Sequence, residues 1–397
     1  MGLGLATMLV ACSSDNTGVL VTYEPDNPDG PDEPGLVVDS IPALGPAIYT
    51  GDDFEIVPIM EDLERPWGLA FLPGGGLLVT ERDEGRLWVI RGGARESVAG
   101  VPDIRPQGQG GLLDVALHPD FEDNGLVYLS YASWTASGDG TTAVSRGRLQ
   151  GGALEGTEEI FEASVFEVPM NAHFGSRLAF DRDGYLYVTI GDRRTPERAQ
   201  NPGNHHGTIV RLLDDGTVPD DNPFVGDPDA LESVFVYGVR NPQGLTVHPE
   251  SGEVYWSEHG PLGGDEINVA SPGANYGWPA ITHGTNYDGS PVSDRSAAPG
   301  MEQPLIHWEP SIATSGLAVY SGDAFPEWSG DLFTGALADR NLVRIRMDGS
   351  TVTGSEPVMS GEWRWRVRDV RDGPDGFLYI LTDEVQGGIY RLQPISD

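Results

Sequence analysis

RLAFDRDGYLYVTIGD, residues 177–192, is the stretch that decides the fold. Apolar residues alternate with other types on both sides of a Gly-bearing turn, and β-branched and aromatic residues follow it, which is typical of two antiparallel strands. The DRDG at 181–184 lacks the remaining ligands of an EF-hand calcium loop. We therefore interpret it as the turn of a β-hairpin.

The same pattern occurs five more times along the chain. The copies are GLAFLPGGGLLVTE (68–81), DVALHPDFEDNGLVYLSY (114–131), GLTVHPESGEVYWSEHG (244–260), GLAVYSGDAFPEWSGDLFTGAL (316–337) and DVRDGPDGFLYILTDE (369–384). Six hairpins predict an all-β fold, a six-bladed β-propeller over residues 51–397. Their starts lie 46 to 72 residues apart, which predicts long loops that build a site on one face. FEIVPIM (54–60) and GGIYRLQP (387–394) are expected to pair and close the ring.

The charge of the chain excludes several classes of partner. The 24 basic residues are all Arg, against 61 acidic residues, so the formal net charge is −37. Such a surface repels phosphate backbones, so neither nucleic acid nor an anionic membrane surface is an expected partner. The acidic, lysine-free composition also suggests adaptation to high salt, which screens self-repulsion.

The first 50 residues are predicted to direct export and anchoring rather than to form part of the domain. Residues 1–12, MGLGLATMLVAC, are interpreted as a truncated signal segment, and Leu9-Val10-Ala11-Cys12 resembles the lipobox of bacterial lipoproteins. Residues 13–50 are acidic and rich in Pro, which predicts a disordered tether. We expect an exported, periplasmic or cell-surface protein that meets a membrane only through a lipid on Cys12.

Polar residues interrupt the repeat where the chain leads into equivalent strands. They are Gln109, His173, Arg240 and Asn241, and Arg366 and Arg368 lead into the sixth hairpin. Equivalent positions of a radial repeat converge on its axis, so these side chains are expected to share a pocket. Two Arg on one side of a strand favour an anion between them. The alternative is structural: a packed His, turn-forming amides, and Arg paired with carboxylates.

A dense loop at 257–279, SEHGPLGGDEINVASPGANYGWP, is a candidate cation site. Its Gly and Pro expose backbone carbonyls, and Glu258, Asp265 and Glu266 are hard oxygen ligands. This mixture suits Ca²⁺ better than Zn²⁺ or Cu²⁺, although an ordinary acidic loop has the same composition. The chain has no G-x-S-x-G, no H-E-x-x-H, and no G-x-G-x-x-G after a strand, which disfavours a serine hydrolase, a zincin and a Rossmann dehydrogenase.

Collinear motifs over residues 54–394 resemble the soluble aldose sugar dehydrogenases that depend on pyrroloquinoline quinone (PQQ), in the glucose/sorbosone dehydrogenase family. The motifs are RPWGLAFLP, GQGGLLDVALHPDF, HFGSRLAFDRDGYLYVTIGD, VYGVRNPQGL, SEHGPLGGDEIN, NYGWP, GALADRNLVRIRMDG and RVRDVRDGPDGFLYILTDE. The resemblance implies a six-bladed propeller with PQQ and Ca²⁺ on its loop face. It implies oxidation of an aldose at C1 to a lactone, by hydride transfer to Ca²⁺-bound PQQ, with electrons passed to an external acceptor.

The resemblance also implies roles for individual residues. His173 would be the general base, a neutral imidazole near its ordinary pKa, and Asp192 would orient it. The implied PQQ ligands are Gln109, Arg240, Asn241, Tyr287, Arg366 and Arg368. The carbonyls of Gly260 and Pro261 would hold the catalytic Ca²⁺, and Glu266 with the Tyr276 carbonyl would hold a structural Ca²⁺. A monomer or a homodimer is expected.

One position departs from the family. Relatives carry a Lys near PQQ where this chain has Ala338, so either the affinity for PQQ is lower or Arg340 or another residue supplies that charge. Two other functions stay open at this point. One is a non-catalytic propeller that binds carbohydrate or a protein partner. The other is a Ca²⁺-dependent lactonase, which predicts acidic and Asn ligands around a single axial ion.

Overall fold

The structure, a computed structural model, describes residues 41–51, 53–167, 171–361 and 363–395. These residues form six antiparallel sheets, which we number as blades 1 to 6 in chain order. Blade 1 contains β3 (Pro66–Leu72), β4 (Gly76–Glu81), β5 (Arg86–Arg91) and β6 (Ala94–Val98), and blade 2 contains β7 (Leu112–Leu117), β8 (Leu126–Trp134), β9 (Gly140–Gln150) and β10 (Ala153–Glu162). Blade 3 contains β11 (Leu178–Phe180), β12 (Leu186–Ile190), β13 (Thr208–Leu212) and β14 (Val234–Tyr237).

The second half of the ring repeats this arrangement. Blade 4 contains β15 (Pro242–Val247), β16 (Val254–Glu258), β17 (Asp265–Val269) and β18 (Ile306–Trp308). Blade 5 contains β19 (Thr314–Val319), β20 (Leu332–Ala336), β21 (Asn341–Asp348) and β22 (Thr351–Pro357). Blade 6 contains β23 (Val367–Asp372), β24 (Leu378–Thr382) and β25 (Gly387–Pro394), together with β1 (Tyr49–Thr50) and β2 (Phe54–Leu63). The described helices are α1 (Phe121–Asn124) and two 3₁₀ turns, Pro196–Gln200 and Pro326–Trp328.

The six predicted hairpins are the first two strands of the six blades, so the fold prediction is confirmed. The first strand of each blade contacts the first strand of the next, and β23 contacts β3, which closes a ring around an axis. The predicted pairing of the two chain ends is also confirmed. Strand β2 pairs with β25 from Phe54 opposite Pro394 to Leu63 opposite Gly387. The sixth blade is therefore completed by residues from both ends of the domain.

The packed fold begins before the predicted boundary at residue 51. Ile41 is buried, and its carbonyl accepts a hydrogen bond of 2.6 Å from Arg391 Nη1. The backbone amide of Ile48 donates to the Ile56 carbonyl, and β1 pairs with β2. Residues 41–50 therefore belong with blade 6 rather than with a disordered tether. Residues 1–40, including Cys12, lie outside the described residues, and no described helix is long and apolar enough to cross a membrane.

The core lies between neighbouring blades. Both faces of an inner strand are covered, so all five residues of β12, LYVTI, are buried rather than every second one. Between blades 2 and 3, for example, Tyr128 and Val144 pack with Leu178 and Val188. The alternating pattern expected of a half-exposed sheet is thus lost at the inner strands, and the inner strands form a rigid frame for the loops at their ends.

A buried ionic group, which we call the axial cluster, lies where the inner strands converge. It consists of Asp114, Arg177, Asp369 and Arg371. Arg177 Nη1 lies 3.3 Å from Asp114 Oδ1 and 3.1 Å from Asp369 Oδ2, and Arg371 bonds to the same two carboxylates at 2.8 Å. The Arg177 side chain also donates to the carbonyls of Gln243 and Arg368 and stacks on Trp67. Together with the partners of Arg177, this cluster connects the inner strands of five blades, or the segments that lead into them. Its carboxylates are paired with Arg rather than free for an axial metal.

Candidate active site

A pocket of about 310 Å³ opens on the loop face of the propeller. Its lining includes seven of the residues singled out in the sequence, which come from blades 2, 3, 4 and 6 and their loops. They are Gln109, His173, Arg240, Asn241, Tyr287, Arg366 and Arg368. The convergence predicted for Gln109, His173, Arg240 and Asn241 is therefore confirmed. We call this cavity the loop-face pocket.

His173 is held in one orientation by hydrogen bonds from several directions. Its backbone has a left-handed φ of 58°, and its amide donates to Gln109 Oε1 at 2.8 Å. The imidazole Nδ1 lies 2.7 Å from Asp192 Oδ1, and the other Asp192 oxygen accepts a 2.8 Å hydrogen bond from the Trp278 indole. An ionised Asp192 can only accept, so Nδ1 carries the proton and Nε2 keeps a free lone pair.

The environment changes the expected basicity of this His. Burial lowers the pKa of His173 to about 4, although the hydrogen bond and charge of Asp192 act in the opposite direction. The sequence-based expectation of an ordinary imidazole pKa was wrong, because the side chain is only 4% exposed and faces Arg240. For Asp192, burial alone would raise the pKa, but the hydrogen bond and charge of His173, the charge of Arg240 and the Arg194 amide together outweigh it and keep the pKa below its usual value. The pair is therefore neutral His and ionised Asp at pH 7.

Arg193, which the sequence reasoning missed, supports the His173 loop from behind. Its guanidinium donates to the Ala172 carbonyl and to the Gly140 carbonyl at 3.0 Å, and it lies 3.5 Å from the centre of the Phe174 ring. The side chain is fully buried, and burial lowers its pKa to about 9. A buried cation with carbonyl and aromatic partners fixes the backbone on both sides of His173.

Arg240 and Asn241 form the blade 4 wall of the pocket. The Arg240 guanidinium donates to the His259 carbonyl at 2.8 Å and lies 5.3 Å from the Trp278 ring centre. Asn241 Oδ1 accepts from the Gly175 amide at 3.3 Å. Neither side chain forms an ion pair with a carboxylate among the described residues, although the Arg240 charge acts on the nearby Asp192 and Glu258.

Arg366 and Arg368 share a single carboxylate. Asp383 Oδ2 lies 3.1 Å from Arg366 and 2.9 Å from Arg368. Burial opposes ionisation of Asp383, but the two guanidiniums prevail and hold its pKa well below the usual range. Burial lowers the pKa of Arg368, whose Nε has no hydrogen-bond partner among the described groups. The alternative in which carboxylates balance the Arg pair is therefore only partly correct, because one carboxylate serves two guanidiniums.

Further side chains of the pocket were not predicted. Arg65, Arg82 and Arg194 line it, and the first two both pair with Asp83, at 2.9 and 2.6 Å. His259 also lines it, and its buried Nε2 has no hydrogen-bond partner among the described residues. A signal existed for several of these residues. Arg82 and His259 directly follow the second strand of a hairpin, as does Asp383 at the equivalent position, whereas the sequence reasoning examined mainly the segments before the first strand.

The loop that was expected to hold Ca²⁺ presents buried carbonyls beside the pocket. Gly260 and Pro261 are buried, and the hydrogen bonds of the described residues provide no donor to either carbonyl. The Asp265 carboxylate holds this loop through hydrogen bonds and is therefore not free to bind an ion. Its Oδ1 accepts from the Gly260 amide at 2.9 Å, and its Oδ2 accepts from Ser311 and Ala313.

Glu258 and Glu266 lie opposite each other on β16 and β17. Glu258 accepts from the Arg240 amide and the Trp256 indole, and burial raises its pKa to about 7. Burial and the nearby Glu258 charge raise the pKa of Glu266 to about 8, and among the described residues its carboxylate accepts one hydrogen bond, from Asn268 at 3.3 Å. The Tyr276 ring packs against Trp256, and its carbonyl has no donor among the described residues. Two close carboxylates with few donors favour a cation at Glu266.

The Ala338 position is exposed and does not line the pocket, although its neighbour Leu337 does. The Arg340 guanidinium donates to the Arg364 carbonyl at 2.9 Å and does not line the pocket either. The extra positive charges of the loop-face pocket come instead from Arg65, Arg82 and Arg194. The charge that the departure at Ala338 removes is therefore not supplied by Arg340.

The chain is similar to proteins of known family. A sequence profile of the Glucose / Sorbosone dehydrogenase family matches residues 63–391. The chain is 41% identical over 359 residues to the aldose sugar dehydrogenase YliI of Escherichia coli (strain K12), which covers 88% of this chain and 96% of that protein.

Two solved structures share the fold. The soluble aldose sugar dehydrogenase of Escherichia coli in its apo form superposes with a TM-score of 0.83 at 40% identity, over 86% of this chain and all of that one. The PQQ-bound aldose sugar dehydrogenase of Streptomyces coelicolor gives a TM-score of 0.72 at 27% identity, over 85% and 96% of the two chains. Both matches extend over nearly the whole described propeller.

Proposed function

The chain belongs to the glucose/sorbosone dehydrogenase family, and from that premise we propose that it oxidises aldose sugars at C1 to lactones with Ca²⁺-bound PQQ. It is a sugar dehydrogenase of the quinoprotein type. The observation that carries the proposal is the buried His173–Asp192 pair facing a pocket lined by unbalanced Arg side chains. Electrons would leave to an external acceptor.

The residues of the loop-face pocket fit PQQ, which is a planar tricarboxylate. Arg240, Arg366 and Arg368 provide guanidinium groups suited to carboxylates, and only Asp383 neutralises part of their charge. The unpartnered Arg368 Nε is a donor that such a ligand would satisfy. The volume of about 310 Å³ lies at the small end of the range for small-molecule pockets. Gln109, Asn241 and Tyr287 would supply the remaining contacts.

The carbonyls of Gly260 and Pro261 fit a hard cation. They are buried, lack donors among the described residues and lie on a loop that Asp265 braces. With no side-chain ligand of their own, they would hold Ca²⁺ together with oxygens of the cofactor. Glu266 and the Tyr276 carbonyl would hold a second, structural Ca²⁺, which would also keep Glu266 ionised despite its raised pKa.

When bound, PQQ supplies the quinone that accepts a hydride from sugar C1, and Ca²⁺ supplies charge stabilisation at the quinone oxygen. His173 accepts the C1 hydroxyl proton at Nε2. Asp192 holds the ring in the tautomer that leaves Nε2 unprotonated and stabilises the imidazolium that forms. Trp278 fixes the second Asp192 oxygen, so the carboxylate cannot rotate away.

The test is reconstitution of the purified chain with PQQ and Ca²⁺, followed by dye reduction with a panel of aldoses. We expect sugar-dependent reduction, and His173→Ala should lower kcat by about 10²- to 10⁴-fold, the usual contribution of a general base. PQQ affinity should change little, because His173 makes no ion pair with the cofactor. Matched activity of His173→Ala and wild type would remove this residue from the base role.

A non-catalytic propeller predicts a different outcome of the same experiment. In that case neither a spectral change of the quinone nor dye reduction would occur with any sugar.

We also propose export and anchoring through Cys12, because the LVAC sequence resembles a lipobox and an external acceptor requires an exported enzyme. Replacement of Cys12 by Ala should release the protein from the membrane fraction.

A further inference from the structure

Blade 4 carries a second group of ligand-type side chains outside the loop-face pocket. Among the residues that the structure describes, one set of three or more His, Cys, Asp or Glu side chains brings its ligand atoms within 4.8 Å of one another. The set is His283, His307 and Glu309, and none of the three lines the loop-face pocket. We propose that they form a binding site for a divalent transition-metal ion of the Zn²⁺, Ni²⁺ or Cu²⁺ class.

The donor atoms suit that class of ion. The rings of His283 and His307 stack with centroids 3.7 Å apart and planes 12° apart. Two imidazolium charges at that distance would repel, so the pair favours neutral rings with free lone pairs. The pKa of His283 is lowered, mainly by burial and to a smaller extent by the nearby His307. Two imidazoles and one carboxylate favour a borderline transition metal over Ca²⁺ or Mg²⁺, which prefer oxygen ligands.

The backbone that carries the three ligands is held together through one short segment, residues 262–264. The Gly264 amide donates to the Trp308 carbonyl at 2.8 Å, which places His307 and Glu309 on either side of that contact. Leu262 and Thr285 exchange two hydrogen bonds, of 2.9 and 3.1 Å, which fix the loop that carries His283. Little backbone order remains to be gained on binding, which reduces the entropic cost.

Gly264 explains why the two segments come so close. Its φ is 71°, and a Cβ at this position would lie 2.6 Å from the Gly284 amide nitrogen. A side chain there would therefore push the His283 loop away from β18. The same glycine allows Gly263 to pass next to Glu309, whose Cγ would lie 3.1 Å from a Cβ at 263. Close backbone approach is what brings the ligands together.

Binding requires only side-chain rotation. The nearly parallel rings direct their lone pairs along parallel planes, so each ring must turn for both nitrogens to reach one ion. His307 and Glu309 are exposed and His283 is half-buried, which leaves room for this rotation. Three protein ligands leave a fourth position open to water, as in exchangeable tetrahedral sites. The site shares no residue with the proposed PQQ and Ca²⁺ ligands and does not rest on the proposed function, although His307 lies opposite Glu266 in the pairing of β17 with β18.

The experiment uses the full, tag-free chain with saturating Ca²⁺. Zn²⁺ is titrated calorimetrically, and Cu²⁺ is added at one equivalent for electron paramagnetic resonance. We expect one Zn²⁺ per chain and a Cu²⁺ spectrum with two nitrogen ligands. His283→Ala and His307→Ala should each weaken Zn²⁺ binding about tenfold or more and leave one nitrogen ligand, and Glu309→Gln should weaken binding with both nitrogens kept.

The control is His248→Ala, also in blade 4. His248 Nδ1 accepts from the amides of Glu250 and Ser251 in the hairpin turn, away from the proposed site. This variant should bind Zn²⁺ like wild type. Unchanged thermal unfolding of each apo variant would show that its fold is intact. Wild-type Zn²⁺ affinity in the double variant His283→Ala/His307→Ala, or no saturable binding by the wild-type chain, would overturn the proposal.

Discussion

Two groups of Arg side chains lie along the propeller axis, and they differ in how their charge is balanced. The axial cluster pairs Arg177 and Arg371 with Asp114 and Asp369, two against two. The loop-face pocket has six Arg, and among the described residues only two carboxylates, Asp83 and Asp383, pair with them. Its Arg are Arg65, Arg82, Arg194, Arg240, Arg366 and Arg368.

The contrast separates structure from function within one protein. In a balanced buried cluster the charges satisfy one another, so the cluster has no need of a ligand. An unbalanced one retains unused donors and net positive charge, which favours an anion. In a chain of net charge −37, carboxylates are abundant, so their scarcity around the pocket is a local property of the site rather than of the composition.

The largest expected effect comes from unbalancing the axial cluster. Asp369→Asn leaves two buried guanidiniums with the single carboxylate of Asp114, and breaking such a buried pair typically costs about 3–5 kcal/mol. We expect the free energy of unfolding to fall by that amount, which is measured as a lower urea midpoint with an unchanged slope. The folded fraction should still bind PQQ. A loss below about 1 kcal/mol would mean that the cluster does not hold the ring together.

The matched change in the pocket should act in the opposite way. Arg368→Gln removes one of two guanidiniums that share the single negative charge of Asp383, and Arg366 remains to pair with that carboxylate. We expect the free energy of unfolding of the PQQ-free protein to change by less than about 1 kcal/mol. PQQ affinity should fall about tenfold or more, because charge-assisted hydrogen bonds contribute about 1.5–3 kcal/mol.

Fluorescence titration with PQQ and urea unfolding of the same preparation measure both quantities. If Arg368→Gln loses as much stability as Asp369→Asn and binds PQQ like wild type, the distinction between the two clusters fails. Retention of affinity alone would transfer the cofactor contact to Arg240 or Arg366.

The sequence predicted the blades better than it predicted these clusters. Hairpins depend on local alternation and turn residues, so all six were recognised, as was the pairing of 54–60 with 387–394. The convergence of Gln109, His173 and Arg240 followed from repeat geometry. The axial cluster was not foreseen, because Arg177, just before β11, and Asp369, within β23, belong to different blades and meet only when the ring closes. The pKa of His173 depends on burial, which no local pattern reports.

The smallest expected effect concerns the pH dependence of activity. In its proposed role as general base, His173 must be neutral to accept a proton, and its pKa of about 4 places the loss of kcat/KM in the acid range, below about pH 5. Arg240 and Arg194 contribute to this low value, because nearby positive charge disfavours imidazolium. Arg194→Gln removes one such charge, so the pKa should rise and the acid limb should move to higher pH.

The shift should be a fraction of a pH unit, less than about 1.4 kcal/mol, since Arg194 is half-buried and its field is screened. Arg182→Gln, in the exposed hairpin turn of the same blade, should leave the profile unchanged and is the control. Profiles of kcat/KM from pH 4 to 8 on both reconstituted variants measure the difference. A shift to lower pH in Arg194→Gln would contradict the idea that surplus positive charge in the loop-face pocket depresses His173. A raised pKa would show that this surplus acts on the base as well as on the anion, which a balanced cluster could not do.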